Sequence, residues 1–252
     1  MNESLLKPFS IGLVIEDKQR GSDNIKVSPM EQLPLQKGDM TNDKRPYQAN
    51  TPDASGVKRA SQIEGSNYII AKWFAQNSTN RLSAPDVYKG ETVQLYRFAD
   101  TDEYYWTAMF REPKLRKLET LLIGCSNNPG GGSFDRNSSY YAEVSTHDSH
   151  IAIHTSQSNS EPYGYDIKID AAQGVITITD TVNNTITLDS RTNTIQFDAQ
   201  AKVNINTPEV NIKATTINLE GQVNIKGDVA IDGAVSGTQG ASFAQDVTAP
   251  NI

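Results

Sequence analysis

The stretch Val203-Asn204-Ile205-Asn206-Thr207-Pro208-Glu209-Val210-Asn211-Ile212-Lys213-Ala214 decides the fold, together with its echo Val223-Asn224-Ile225-Lys226-Gly227-Asp228-Val229-Ala230-Ile231-Asp232-Gly233. In each, two aliphatic residues at i and i+2 flank a single residue, polar except at Ala230, and a short polar turn follows. The same unit begins earlier. Its pairs are Ile167/Ile169, Ile176/Ile178, Ile186/Leu188, Ile195/Phe197, Val203/Ile205, Val210/Ile212, Ile217/Leu219, Val223/Ile225 and Val229/Ile231. Side chains alternate between faces along a strand, so each unit reads as a short strand with one apolar and one wet face.

The spacing between successive first members runs 9, 10, 9, 8, 7, 7, 6 and 6 residues, so the rungs shorten toward the C-terminus. A rung with two apolar side chains has nothing of its own to pack on. A single-chain solenoid of hexapeptide type needs a constant period, because each coil stacks on the last. Three copies wound about one axis tolerate rungs that change in length. The pattern therefore predicts an all-β chain that forms a homotrimer. Its residues 163–235 are expected to be a trimeric, intertwined, tapering β-prism (β-helix), with the paired residues above as the trimer core.

Working outward from the repeat, residues 236–252 are expected to form a tip, and 126–162 a neck of linker and short strands. The linker signal is Asn127-Asn128-Pro129-Gly130-Gly131-Gly132-Ser133, with strands expected near 140–146 and 150–155. Residues 1–125 read as a small barrel. Ile11, Leu13 and Ile15 alternate, Gly21-Ser22-Asp23-Asn24 turns, and Ile25 and Val27 follow. Further strand signals are Tyr68 to Phe74, Val93-Gln94-Leu95-Tyr96 and Tyr104-Tyr105-Trp106-Thr107. Residues 32–62 are polar, aperiodic and dotted with Pro and Gly, and are expected to be a long loop. Five short strands around one such loop suggest a barrel of OB type. Lys114 to Leu122 fits either a short helix or another strand.

Composition sets limits. The chain has 252 residues, 37% apolar, with a net charge of −7 and a mean hydropathy of −0.52. An acidic balance argues against nucleic-acid binding, which needs a basic surface. Residues 163–252 hold five basic and ten acidic side chains, so most of the charge lies on the repeat. Cys125 has no second cysteine to pair with and is expected to be a small buried hydrophobe. The N-terminal residues lack a basic stretch followed by an apolar one, and so do not read as a signal peptide. The chain is expected to be made in a cytoplasm.

An OB-type barrel followed by a Val/Ile-x-Ile prism resembles the central spike of contractile-tailed bacteriophage baseplates, and is similar to the valine-glycine-repeat spikes of type VI secretion. The two stretches quoted first carry the likeness. Tyr104-Tyr105-Trp106 through Arg116-Lys117-Leu118-Glu119-Thr120 also resembles phage spike sequence. The resemblance implies a virion protein whose barrel docks on a baseplate hub and whose prism is pushed through the bacterial outer membrane when the sheath contracts. It implies no enzymatic activity. Two departures stand out. The interval between barrel and prism has no room for a lysozyme domain, and no His-x-His follows His154 to bind iron at an apex. The tip is then closed by apolar packing of Phe243, Val247 and Ile252, or by a small capping protein.

Other chemistries compete with this reading. His147, His150 and His154 lie close in sequence, and a strand would place His150 and His154 on one face as candidate metal ligands. Solvated or hydrogen-bonded histidines are the plainer reading, and no cofactor is implied. Asp100, Asp102, Glu103 and Glu119 are available as carboxylates but read as surface charge. Gly130-Gly131-Gly132-Ser133 lacks the Lys-Ser/Thr of a phosphate loop. Arg111, Lys114, Arg116 and Lys117 form a local basic patch, either solvated or docked on an acidic partner. Two rival functions remain: a hexapeptide-type acyltransferase using His150 or His154 as base, and a receptor-binding trimeric fibre.

Overall fold

In the computed structural model, residues 4–32, 68–76, 79–109 and 118–237 are described, together with the backbone of 45–52 and 58–65. All regular structure among them is β. The strands are β1 (Leu6–Val14), β2 (Asn24–Pro29), β3 (Arg45–Pro52), β4 (Lys58–Gly65), β5 (Ile69–Trp73), β6 (Thr92–Phe98) and β7 (Tyr104–Ala108). They continue as β8 (Thr120–Ser126), β9 (Ser139–Ser145), β10 (His150–Thr155), β11 (Tyr165–Asp170), β12 (Val175–Asp180), β13 (Thr185–Asp189) and β14 (Thr194–Asp198). The chain divides into two units, residues 1–203 and 204–252.

Five strands close a barrel in the order β1-β2-β5-β7-β6, with β6 returning to β1. All pairs are antiparallel except β5 with β7. Its core is Val14, Ile25, Val27, Ala71, Val93, Leu95 and Trp106, roofed by Ala84 and Val87 from the β5–β6 connection. Trp106 is fully buried, and its indole N–H donates to the Asp23 carbonyl at 2.9 Å. Sequence alternation singles out Ile11 and Leu13, but the buried positions of β1 are Ser10, Gly12 and Val14. The reason is space. A Cβ on Gly12 would stand 2.4 Å from Val27 Cγ2 and 2.8 Å from Leu95 Cδ1. The barrel needs small residues there, and its larger neighbours stay half-buried outside.

Two expectations are corrected. Residues 32–62 are not a loop throughout, since β3 and β4 pair as an antiparallel hairpin from Arg45↔Gly65 to Pro52↔Lys58. Pro46 and Pro52 near the ends of β3 mask the strand in the sequence. The barrel also finishes at Ala108 rather than near residue 125, because β8 joins a different sheet.

That sheet has seven strands in the order β14-β13-β12-β11-β10-β9-β8, a plain antiparallel meander. The neck strands and the first rungs of the repeat are one continuous ladder. Its turns follow a rule. β11, β12, β13 and β14 each end in aspartate, and the first three carboxylates accept turn amides: Gln173 on Asp170, Val182 and Asn184 on Asp180, Arg191 on Asp189. Gly174, Asn183 and Asn193 then take left-handed φ values of 65°, 66° and 54°. Gly and Asn tolerate that region best. One edge of the sheet is covered by the β5–β6 connection. There Leu82 N–H donates to the Leu122 carbonyl at 2.8 Å, and Gly124 N–H to the Asn80 carbonyl at 2.9 Å.

Candidate functional site

Cross-strand register lines up the aliphatic pairs in two columns. Leu121 and Ile123 oppose Val144 and Ala142, which oppose Ile151 and Ile153, which oppose Ile169 and Ile167. The columns continue through Ile176 and Ile178, then Leu188 and Ile186, to Ile195 and Phe197. This face is open. Its large side chains from Ile123 to Leu188 are 37% to 48% exposed, and Ile195 and Phe197 are 66% and 64% exposed. Contiguous apolar surface on this scale marks an interaction site in a soluble protein.

The residues expected to form a buried core are therefore not buried within one chain. In the sheet, Ile167, Ile169, Ile176, Ile178, Ile186, Leu188, Ile195 and Phe197 are all exposed, Ile178 at 41%. Among the described residues these side chains stay open, with Ala199, Lys202 and Val203 lining an apolar hollow beside Ile178, Ile186 and Phe197.

The opposite face of β8–β10 is polar and covered. Glu143 is only 3% exposed. Arg136 donates to both its carboxylate oxygens at 2.6 and 3.1 Å, and His150 Nε2 lies 3.4 Å away. The Arg136 hydrogen bonds hold the Glu143 carboxyl below its ordinary range against the opposing effect of burial. Ser145 is 2% exposed, shares a 2.9 Å contact with Thr120 Oγ1, and donates to Asp148 Oδ2 at 3.1 Å. Asp148 pairs with Arg20 of the β1–β2 connection. Asp86 bridges Lys18 at 2.7 Å and His147 at 3.1 Å. A cleft of about 210 Å³ between the β1–β2 connection and the sheet is lined by these groups. The cations and carboxylates lining it are largely matched to one another, so the cleft offers a ligand little unsatisfied charge.

Burial is thus reversed along β8–β10: polar side chains lie inside and aliphatic ones outside. Sequence reasoning begins the apolar ladder at Ile167, but geometry starts it at Leu121 and Ile123. The alternation of Leu121 with Ile123 and of Ile151 with Ile153 carries the signal. Polar turns on either side keep it from reading as part of the repeat.

The remaining pairs start at Val203, the last residue of the first unit, and continue through the second. Residues 199–237 form neither helix nor strand within the chain and bend at Ala201, Pro208, Thr215, Gly221, Gly227 and Asp232-Gly233. The bends fall between successive aliphatic pairs, as corners between rungs do. The expected core residues Val203, Ile205, Val210, Ile212, Ile217, Leu219, Val223, Ile225, Val229 and Ile231 are 53% to 73% exposed, Leu219 at 70%. Among the described residues these rungs have no strand partner, although Val203 lines an apolar hollow with Ile178, Ile186 and Phe197.

The other candidates are placed as follows. The three histidines take separate partners: His147 Asp86, His150 Glu143, and His154 Asp166 at 2.7 Å. His154 also stacks on Tyr141, 5.1 Å between centroids. Among the described residues, no group of three or more His, Cys, Asp or Glu is gathered to hold a metal. Glu119 pairs with Arg81 at 2.6 Å, while Asp102 is solvated at 3.8 Å from Arg97. Cys125 is exposed rather than buried, because its place in β8 points away from the packed Gly124 position. Asn80 Nδ2 donates to its Sγ at 3.1 Å. Arg111, Lys114, Arg116, Lys117, Phe243, Val247 and Ile252 lie outside the described residues. The antiparallel pairing from Tyr165 to Asp198 differs from the parallel stacking of a hexapeptide solenoid.

No protein-family model matches this chain, and no curated protein matches it significantly.

Proposed function

We propose that three copies of this chain form the central spike of a contractile phage tail. The barrel docks on the baseplate hub, and the tapering β-prism is driven through the bacterial outer membrane. One observation carries the reading: a two-column aliphatic ladder lies open on one face of a sheet whose opposite, polar face is covered along β8–β10. Threefold packing about an axis buries that face and leaves the Asp, Thr, Lys and Asn side chains in water. The shortening rungs then give a taper.

The barrel order supports an OB reading: its third and fifth strands run parallel, and its first pairs with its fourth. In such a spike the sheath supplies force, and the protein supplies stiffness and a narrow tip. No reacting group is required. The test is location. Antibodies against the barrel are expected to label the distal end of contractile tails in particles that carry this chain. Labelling of fibre tips would replace this reading with the receptor-binding one. Acyl-CoA turnover abolished by His150→Ala or His154→Ala would replace it with the acyltransferase.

A further inference from the structure

The pairing pattern divides the ladder into two modes. From Thr120 to Asp198 every strand is hydrogen-bonded to its neighbours inside the chain, so apart from the outer edge of β14 it is the side chains there that call for a partner. From Ala199 to Gly237 no rung forms a strand within the chain, although the aliphatic pairs keep the same form. Burying those pairs also buries backbone N–H and C=O groups, and these must find hydrogen bonds.

Resting on the trimer reading above, we propose that the surface joining copies of this chain begins at β8 and changes mode at Ala199. Upstream, β8–β14 of each copy is a finished sheet that presses its aliphatic face against two others. Downstream, residues 199–237 take backbone partners from the neighbouring copies. The neck is therefore part of the trimer interface and not a spacer.

Two observations select other copies as the occupant. The columns run without a break in register from Leu121 and Ile123 through Ile151 and Ile153 into the repeat, so the neck face continues the surface already assigned to self-association. The neck columns also contain no charged or polar side chain, while the other face of β8–β10 is covered by the chain's own residues. A partner recognised here offers aliphatic groups at the same strand pitch, which another copy of the chain supplies.

Hydrogen–deuterium exchange on the full chain, read with its mass in solution, tests this. In the trimer, amides from Val203 to Ile231 are expected to be protected like those of β11–β14. In the double variant Ile151→Lys/Ile153→Lys, β8–β10 amides are expected to exchange at least about tenfold faster, while the fluorescence of the barrel tryptophans is unchanged. A trimer whose 203–231 amides exchange at unstructured rates overturns the change of mode and leaves the trimer standing. A double variant with wild-type protection in β8–β10 overturns the neck interface. A monomeric wild-type chain overturns the trimer reading and this inference together.

Discussion

At the residue scale, small and turn-forming side chains set the geometry. Gly12 is required by the barrel interior, where any Cβ collides with Val27 and Leu95. Gly12→Ala is expected to destabilise the barrel by about 1–3 kcal/mol through overpacking. Both tryptophans, Trp73 and Trp106, lie in barrel strands, so their fluorescence during denaturation reports this directly. The turn aspartates titrate low. Asp170 is held down chiefly by its Lys168 hydrogen bond, Asp180 by Asn184, and Asp189 by Arg191, to about 2. Folded values below the ordinary 3.8 mean stabilisation that is present above that pH and drains away as pH falls toward 2. The melting temperature of the repeat should fall over that window, and Asp189→Asn should make the fall shallower. A melting temperature flat from pH 4 to pH 2 would contradict this account of the turns. The Asp-to-Gly/Asn rule is visible in the sequence once strand ends are known. The need for Gly12 is not, because it depends on side chains distant in the chain.

At the element scale, strands with clean period-two alternation are legible. β2, β5, β6, β7, β9, β10 and the repeat strands β11–β14 fall where the pattern puts them. The β3–β4 hairpin is hidden because its sequence is mostly polar and carries Pro46 and Pro52. β8 is ambiguous because Lys114 to Leu122 fits either a short helix or a strand, and pairing with β9 shows where Thr120–Ser126 belongs. Beyond β14, corners replace hairpins. Gly227 has φ of 134°, with nothing within 4 Å of where its Cβ would stand, so glycine is needed there for its backbone and not for room. Gly227→Val is expected to cost about 1–3 kcal/mol in each chain. The signature is faster amide exchange confined to rungs near 223–231, with barrel fluorescence unchanged. Equal exchange in variant and wild type would show that this corner carries no such constraint.

At the scale of the whole molecule, the barrel and the long sheet differ in how they bury apolar side chains. The barrel has a closed core, whereas among the described residues the aliphatic face of the long sheet is open, with Ile178 at 41%, and the rungs beyond it leave side chains such as Leu219 exposed. The sequence conveys this through the repeat alone, since a single polar residue between two aliphatic ones fixes which face is apolar. It does not convey that the neck shares the face, because sheet membership depends on long-range register. With −7 per chain, the proposed trimer would carry three times that charge, which favours its solubility. The central claim is that identical copies supply the missing cover, and light scattering on the purified full chain measures it most directly. The account predicts a particle of about 83 kDa, three times the 27.6 kDa chain, that persists under mild denaturant because the subunits share a core. A stable, folded 27.6 kDa monomer would contradict it.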